Sequence, residues 1–181
     1  MDKTFFHKYF YKFSGLIKYQ IKYGDELYKI SKLLINLKKG NNRLIIFGNG
    51  GSSAIASHAA IDFSNMNQIS TLNLNDSSMI TCFSNDYGYE NWMGKAIEVH
   101  GKKNDILIVI SSSGRSKNII NACKKAKKKK FKKIITFTGF KKNNPVSKLG
   151  NHNIWVDSKN YNFVENTHQV LLLSIADFLK K

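Results

Sequence analysis

Ile45-Ile46-Phe47-Gly48-Asn49-Gly50-Gly51-Ser52-Ser53 is an apolar run that breaks into a glycine-rich turn and then into hydroxyl residues suited to start a helix. Its reading decides the fold. A strand that feeds a helix through so short a turn is the opening half of a βαβ unit, which demands a parallel sheet covered by helices. The same grammar returns at Ile108-Val109-Ile110-Ser111-Ser112-Ser113-Gly114-Arg115-Ser116. Working outward, five short runs rich in Ile, Val, Leu or Phe read as buried strands: Arg43–Phe47, Ile69–Leu74, Ile106–Ile110, Lys133–Thr138 and Ile154–Val156. Helices are predicted over Ser52–Ser64, Glu90–Val99, Lys117–Lys130 and, closing the chain, Phe163–Leu179. The expected class is α/β, a three-layer αβα sandwich on a five-stranded parallel sheet.

Residues 1–40 precede the first strand and are helical in character, with Leu27, Ile30, Leu33, Leu34 and Leu37 at helix spacing. Phe5, Phe6, Tyr9, Phe10, Tyr11, Phe13, Tyr19 and Tyr23 make the first stretch too aromatic to lie on water. It must pack on its own domain or on another subunit, and the expectation favours the second. No linker or internal repeat interrupts the chain. Residues 1–181 therefore read as one domain, with a helical oligomerisation segment over 1–40 and an αβα core over 41–181.

The two turns share a chemistry. Gly48, Gly50 and Gly51 allow close approach of backbone to a ligand, and Ser52 or Ser53 can cap a helix whose exposed N–H groups favour an anion. Ser111, Ser112, Ser113 and Ser116, with Gly114 among them, offer several hydroxyls where a helix cap needs only one. If the first and third strands are neighbours, both turns face one crevice at the carboxyl edge of the sheet. Neither is a nucleotide-phosphate loop: no Gly-Lys-Ser/Thr follows the glycines, and G-N-G-G-S-S lacks the third glycine of a dinucleotide fingerprint. A sugar phosphate is the expected ligand class.

Composition removes other classes. Lys and Arg total 29 against 12 Asp and Glu, a net charge of +17. Only Arg43 and Arg115 are arginines, however, and the lysines are spread along the chain with one dense run at Lys124–Lys133. This pattern attracts anions in general but predicts no specific nucleic-acid recognition. No apolar run is long enough to span a membrane, and Met1–Tyr11 has no continuous apolar core of a secretory signal. Cys82 and Cys123 form no disulfide framework or CxxC motif, so a cytoplasmic protein with reduced thiols is expected, Cys82 as a buried small hydrophobe. His7, His100 and His152 read as surface residues, Trp92 and Trp155 as packing, Asp105 as a turn residue and His168 as a helix-packing residue.

Taken together, Gly48-Asn49-Gly50-Gly51-Ser52, Ser57-His58-Ala59-Ala60, Asn85-Asp86-Tyr87-Gly88-Tyr89 and Ser111-Ser112-Ser113-Gly114-Arg115-Ser116 resemble, in this order, the motifs of the sugar-isomerase (SIS) domain family and within it the phosphoheptose isomerases. The likeness covers nearly the whole chain. It implies a flavodoxin-like strand order, a tetramer with active sites at subunit boundaries, and isomerisation of sedoheptulose 7-phosphate to a heptose 7-phosphate for surface-polysaccharide or lipopolysaccharide precursors. By position, Ser111, Ser112, Ser113 and Ser116 would hold the phosphate, while Asn49, Gly50, Gly51, Ser52, Ser53 and Asp86 would face the sugar.

The chain also departs from the family pattern. The glutamate four residues after the first-helix histidine is Asp62 here, and the position of the second catalytic histidine is Leu173, which can neither move a proton nor bind a metal. Two readings remain: an isomerase with a rearranged set built on His58, Asp62 and Glu165, with His168 or Gln169 as further members, or a non-catalytic SIS protein that binds sugar phosphates and regulates, some relatives assisting replication initiation. Where family members carry zinc, the ligand types left here are His58, Asp62 and Glu165, enough for an open site.

Overall fold

The computed structural model describes residues 2–180. Its centre is set by three uninterrupted apolar runs, β1 (Leu44–Gly48), β3 (Ile106–Ser111) and β4 (Lys133–Thr138), every residue of which is buried except Lys133. Strands this apolar on both faces belong in the middle of a parallel sheet covered on each side. β2 (Thr71–Leu72) and β5 (His152–Trp155) form the edges, giving five parallel strands in the order β2-β1-β3-β4-β5, the flavodoxin order.

Side chains alternate across this sheet as the strand period requires. Leu44, Ile46, Ile106, Ile108, Ile110, Ile135 and Phe137 join one core with α2 (Gly24–Ile35), α3 (Gly51–Asn65) and α7 (Tyr161–Leu179). Ile45, Phe47, Leu107, Val109 and Ile134 join a second core with α5 (Trp92–His100) and α6 (Lys117–Lys128), where Phe47 meets Trp92 edge to face at 5.7 Å between ring centres. The expected three-layer sandwich is therefore present, its layers set by the alternation.

Two elements differ from expectation. The run Ile69–Leu74 contributes only two rungs, Leu44 to Thr71 and Ile45 to Leu72. Beyond them Asn73 donates to Ser57 Oγ at 2.7 Å and Asn75 donates to Ser53 Oγ, so the side chains tie this segment to α3 instead of extending the ladder. The second is α4 (Ser77–Tyr87), a helix the sequence does not announce. Its ends are fixed by caps: Asp76 accepts from the N–H groups of Ser78 and Met79 at 2.9 and 3.1 Å, and Gly88 follows with a left-handed φ of 83°. Cys82 lies on α4 and is exposed, not buried as expected, because no residue of this helix is fully covered.

The N-terminal segment divides in the same way. α2 buries Ile30 and Leu34, and the Tyr23 hydroxyl ahead of it donates to the carbonyl of Trp155 at 2.8 Å and accepts from its N–H at 2.9 Å. His152 is not a free surface residue either, since its Nδ1 meets Glu26 at 2.8 Å. α1 (Phe5–Tyr19) buries no residue; Tyr9 and Phe13 meet Phe163, and Leu16 packs against the edge of the core. Asp105, expected as a plain turn residue, is fully buried and accepts from the N–H groups of Arg43 and Lys102 at 2.9 and 2.8 Å, tying β1 to β3. Among the described residues no helix is long and apolar enough to cross a membrane.

Candidate functional site

The register of the sheet pairs Gly48 with Ile110, so β1 and β3 end side by side and their turns leave the sheet at the same level. This is where strand order reverses and where open parallel sheets bind ligands. The two turns line one cleft of about 110 Å³, formed by Asn49 and Ser52 from the first, Ile110, Ser111, Ser112, Ser113 and Ser116 from the second, and Tyr161 and Glu165 from α7.

Steric necessity shapes both turns. A side chain on Gly48 would collide with the backbone of Ser52. Gly114 has φ +64°, and any Cβ there would overlap the Asn144 side chain. Asn49 is clamped by Asn118 at the start of α6, the two amides exchanging hydrogen bonds of 2.9 and 3.0 Å, and the Tyr89 hydroxyl donates to Asn49 Oδ1 at 3.3 Å. The serines are spent differently. Ser111 and Ser112 are each 95% buried, yet their hydroxyls have no partner among the described residues. Ser116 is the N-cap residue of α6 but makes no side-chain capping bond. Buried hydroxyls left unsatisfied are costly unless a ligand completes them. Beside the exposed N–H groups of a helix start, that ligand is an anion.

A second cleft, about 340 Å³, opens on the other side of Glu165 and is lined by Gly51, Ala54, Ile55, His58, Glu165, Asn166 and Gln169. His58 is approached from two sides. Within α3, His58 Nε2 stands 3.5 Å from Asp62 Oδ2, the i, i+4 spacing placing them on one helix face. His58 Nδ1 faces Gln169 Nε2 at 3.3 Å. A Gln169 N–H donated to Nδ1 leaves the proton on Nε2, directed at the Asp62 carboxylate, so one tautomer satisfies both contacts. Glu165 is seated against Gly51, where a methyl group would overlap its carboxylate.

Several expected residues lie elsewhere. Asp86 sits on the exposed side of α4, accepting from Asn85 at 3.0 Å, and lines neither cleft. Gly50 supplies a left-handed turn with φ +53° and lines neither cleft, and Ser53 is turned toward Asn75. His168 faces away from both: it is fully buried, its Nε2–H donates to the Thr138 carbonyl at 3.1 Å, and burial pushes its pKa down to about 4, so it stays neutral as a packing residue. Leu173 packs against the core. Among the described residues no three His, Cys, Asp or Glu groups stand close enough to hold a metal. His58 and Asp62 meet, but Glu165 is held at Gly51 and Leu173 offers no donor, so this set does not fit a zinc ion. Tyr161 and Asn118 were not legible as site residues. Asn118 follows the Ser-rich loop closely enough to have been suspected, whereas nothing local marks Tyr161.

Comparison with known proteins places this geometry. A family model described as SIS domain matches residues 8–139. The phosphoheptose isomerase of Sulfurimonas denitrificans is 33% identical over 163 residues, 87% of this chain and 83% of that protein. Two solved structures of phosphoheptose isomerases share the fold: one from Francisella tularensis at 23% identity with TM-score 0.91, covering 99% of this chain and 98% of that one. The other, from Neisseria gonorrhoeae, is 24% identical with TM-score 0.89 and covers 96% of this chain and 95% of that one.

Proposed function

The chain belongs to the SIS domain family, beside the phosphoheptose isomerases, and is a sugar-phosphate isomerase; from that premise we propose that it interconverts sedoheptulose 7-phosphate and an aldoheptose 7-phosphate. The observation that carries this reading is that Glu165 lines both clefts, with the serine-walled anion site on one side and the His58–Asp62 pair on the other. An open-chain sugar whose terminal phosphate is held by Ser111, Ser112, Ser113 and Ser116 can lay its carbonyl end past Glu165 toward His58.

The chemistry is a proton shift between neighbouring carbons. The Glu165 carboxylate takes a proton from C1 of the ketose, and the electron pair of that C–H bond forms the C1=C2 double bond of an enediol as the C2 oxygen gains a proton. The glutamic acid then returns its proton to C2 while the C1 hydroxyl gives up its own proton, leaving the C1 aldehyde. His58, oriented by Asp62 and Gln169, carries the oxygen-bound proton between the two oxygens. Atoms balance with no added reactant, since the two sugars are isomers. Supply of surface-polysaccharide precursors, a cytoplasmic site of action and a tetramer joined through α1 belong to the same proposal.

The test is direct. Pure protein incubated with sedoheptulose 7-phosphate and followed by NMR should show the aldose appear and, in deuterated water, deuterium enter at C2. Saturable binding without interconversion would leave only the alternative, a sugar-phosphate-binding regulator.

A further inference from the structure

The phosphate cleft has a wall that no serine supplies. Tyr161, the first residue of α7, lies one helical turn before Glu165 on the same face, and both side chains border the cleft. Its ring is half exposed and meets Phe140 edge to face, with ring centres 4.8 Å apart at 65°. No hydrogen bond to its hydroxyl is found among the described residues.

Phe140 makes the arrangement unusual. It is a bulky residue with φ +55°, in the left-handed region that such side chains avoid. It is kept there by its N–H donating to the Ser158 carbonyl at 3.0 Å, while the adjacent Gly139 N–H donates to the Ser112 carbonyl at 2.9 Å. The segment after β4 is thus bolted to the Ser-rich loop on one side and presents its aromatic ring to Tyr161 on the other. Strained backbone held by its surroundings is a mark of functional sites. The neighbouring orphaned hydroxyls of Ser111 and Ser112 show what the site awaits.

We propose that Tyr161, braced by Phe140, is a specificity residue of this cleft: its phenol O–H donates to an oxygen of the bound phosphoryl group, and its ring closes the side the serines leave open, selecting a terminal phosphate monoester. This rests on the phosphate-binding reading above. Tyr161 is a recognition residue, not a base, so its effect falls on binding of the phosphorylated end.

Calorimetric titration with inorganic phosphate and with sedoheptulose 7-phosphate separates the two ideas. Tyr161→Phe should weaken both ligands about 10-fold, the scale of a lost hydrogen bond to a charged group, and raise KM for sedoheptulose 7-phosphate by a similar factor. Phe140→Gly relieves the left-handed φ but removes the brace together with the ring's packing on the core, so at temperatures where circular dichroism shows it folded it should bind both ligands about 10-fold more weakly, as Tyr161→Phe does. Native affinity in Tyr161→Phe and Phe140→Gly, with the parent protein binding both ligands, overturns the role of Tyr161 and leaves the phosphate site standing. Failure of the parent protein to bind either ligand overturns both.

Discussion

The two clefts that meet at Glu165 spend their polar atoms in opposite ways. In the smaller one, Ser111 and Ser112 bury hydroxyls that no described residue satisfies, whereas in the larger one His58 is engaged on both ring nitrogens, by Asp62 and by Gln169. The first is built to be completed by a ligand and the second to hold a tautomer ready. Even the two turns of the smaller cleft follow this split: Asn49 is fixed by Asn118 as scaffold, while the Ser111 and Ser112 hydroxyls have no partner among the described residues. Grip and chemistry are thus divided between neighbouring spaces, with a single carboxylate on the boundary.

The comparison breaks most visibly at that carboxylate. Glu165→Gln keeps the shape of both clefts and removes the base, so kcat should fall by about 10²–10⁴-fold while the affinity for sedoheptulose 7-phosphate stays nearly constant. Steady-state kinetics beside calorimetry would check it, and a variant with native kcat would remove Glu165 from the chemistry. Gly51→Ala should act through the same carboxylate by pushing it from its seat, lowering kcat with little change in melting temperature.

The two histidines give the next contrast. His58 lines the larger cleft, whereas His168 is buried as the neutral form with its pKa held near 4, below the usual 6.5. The unfolded chain therefore takes up a proton at His168 before the folded one does, and stability must fall as pH drops from about 6.5 to about 4. That contribution amounts to roughly 3 kcal/mol. His168→Gln retains a donor toward Thr138 and should flatten this part of the melting-temperature profile without altering kcat. An unchanged acid slope would contradict the neutral buried state.

Smaller still, and opposite in sign for two observables, are the serines. Ser111→Ala and Ser112→Ala each remove a buried hydroxyl without a partner, so unfolding should be unaffected or harder by up to about 1 kcal/mol, while phosphate affinity falls about 10-fold. A loss of stability with affinity intact would mean that these hydroxyls serve the fold.

Much of this was legible in the sequence. The continuous apolar runs at Leu44–Gly48, Ile106–Ser111 and Lys133–Thr138 leave no alternative to central parallel strands, and both turns are brought to one cleft because the strands before them are neighbours. What escaped was fixed by contacts distant in sequence or by caps. β2 is cut short by asparagines that reach α3, and α4, rich in Ser and Thr, is held by Asp76 and Gly88 with little apolar pattern to betray it. Asp105 looked like a plain turn residue because only one of its backbone donors, Lys102, lies in its own turn, while the other, Arg43, comes from beside another strand. Tyr161 could not be found because its brace, Phe140, and the serines it faces come together only in three dimensions.

The measurement that bears most directly on the site is a calorimetric titration of sedoheptulose 7-phosphate into the native protein and into the Ser111→Ala/Ser112→Ala double variant. One saturable site per chain in the native protein, weakened about 100-fold in the double variant if the two losses add, is the expected result. Equal affinity in the two proteins would show that the buried hydroxyls at the end of β3 do not hold the phosphate.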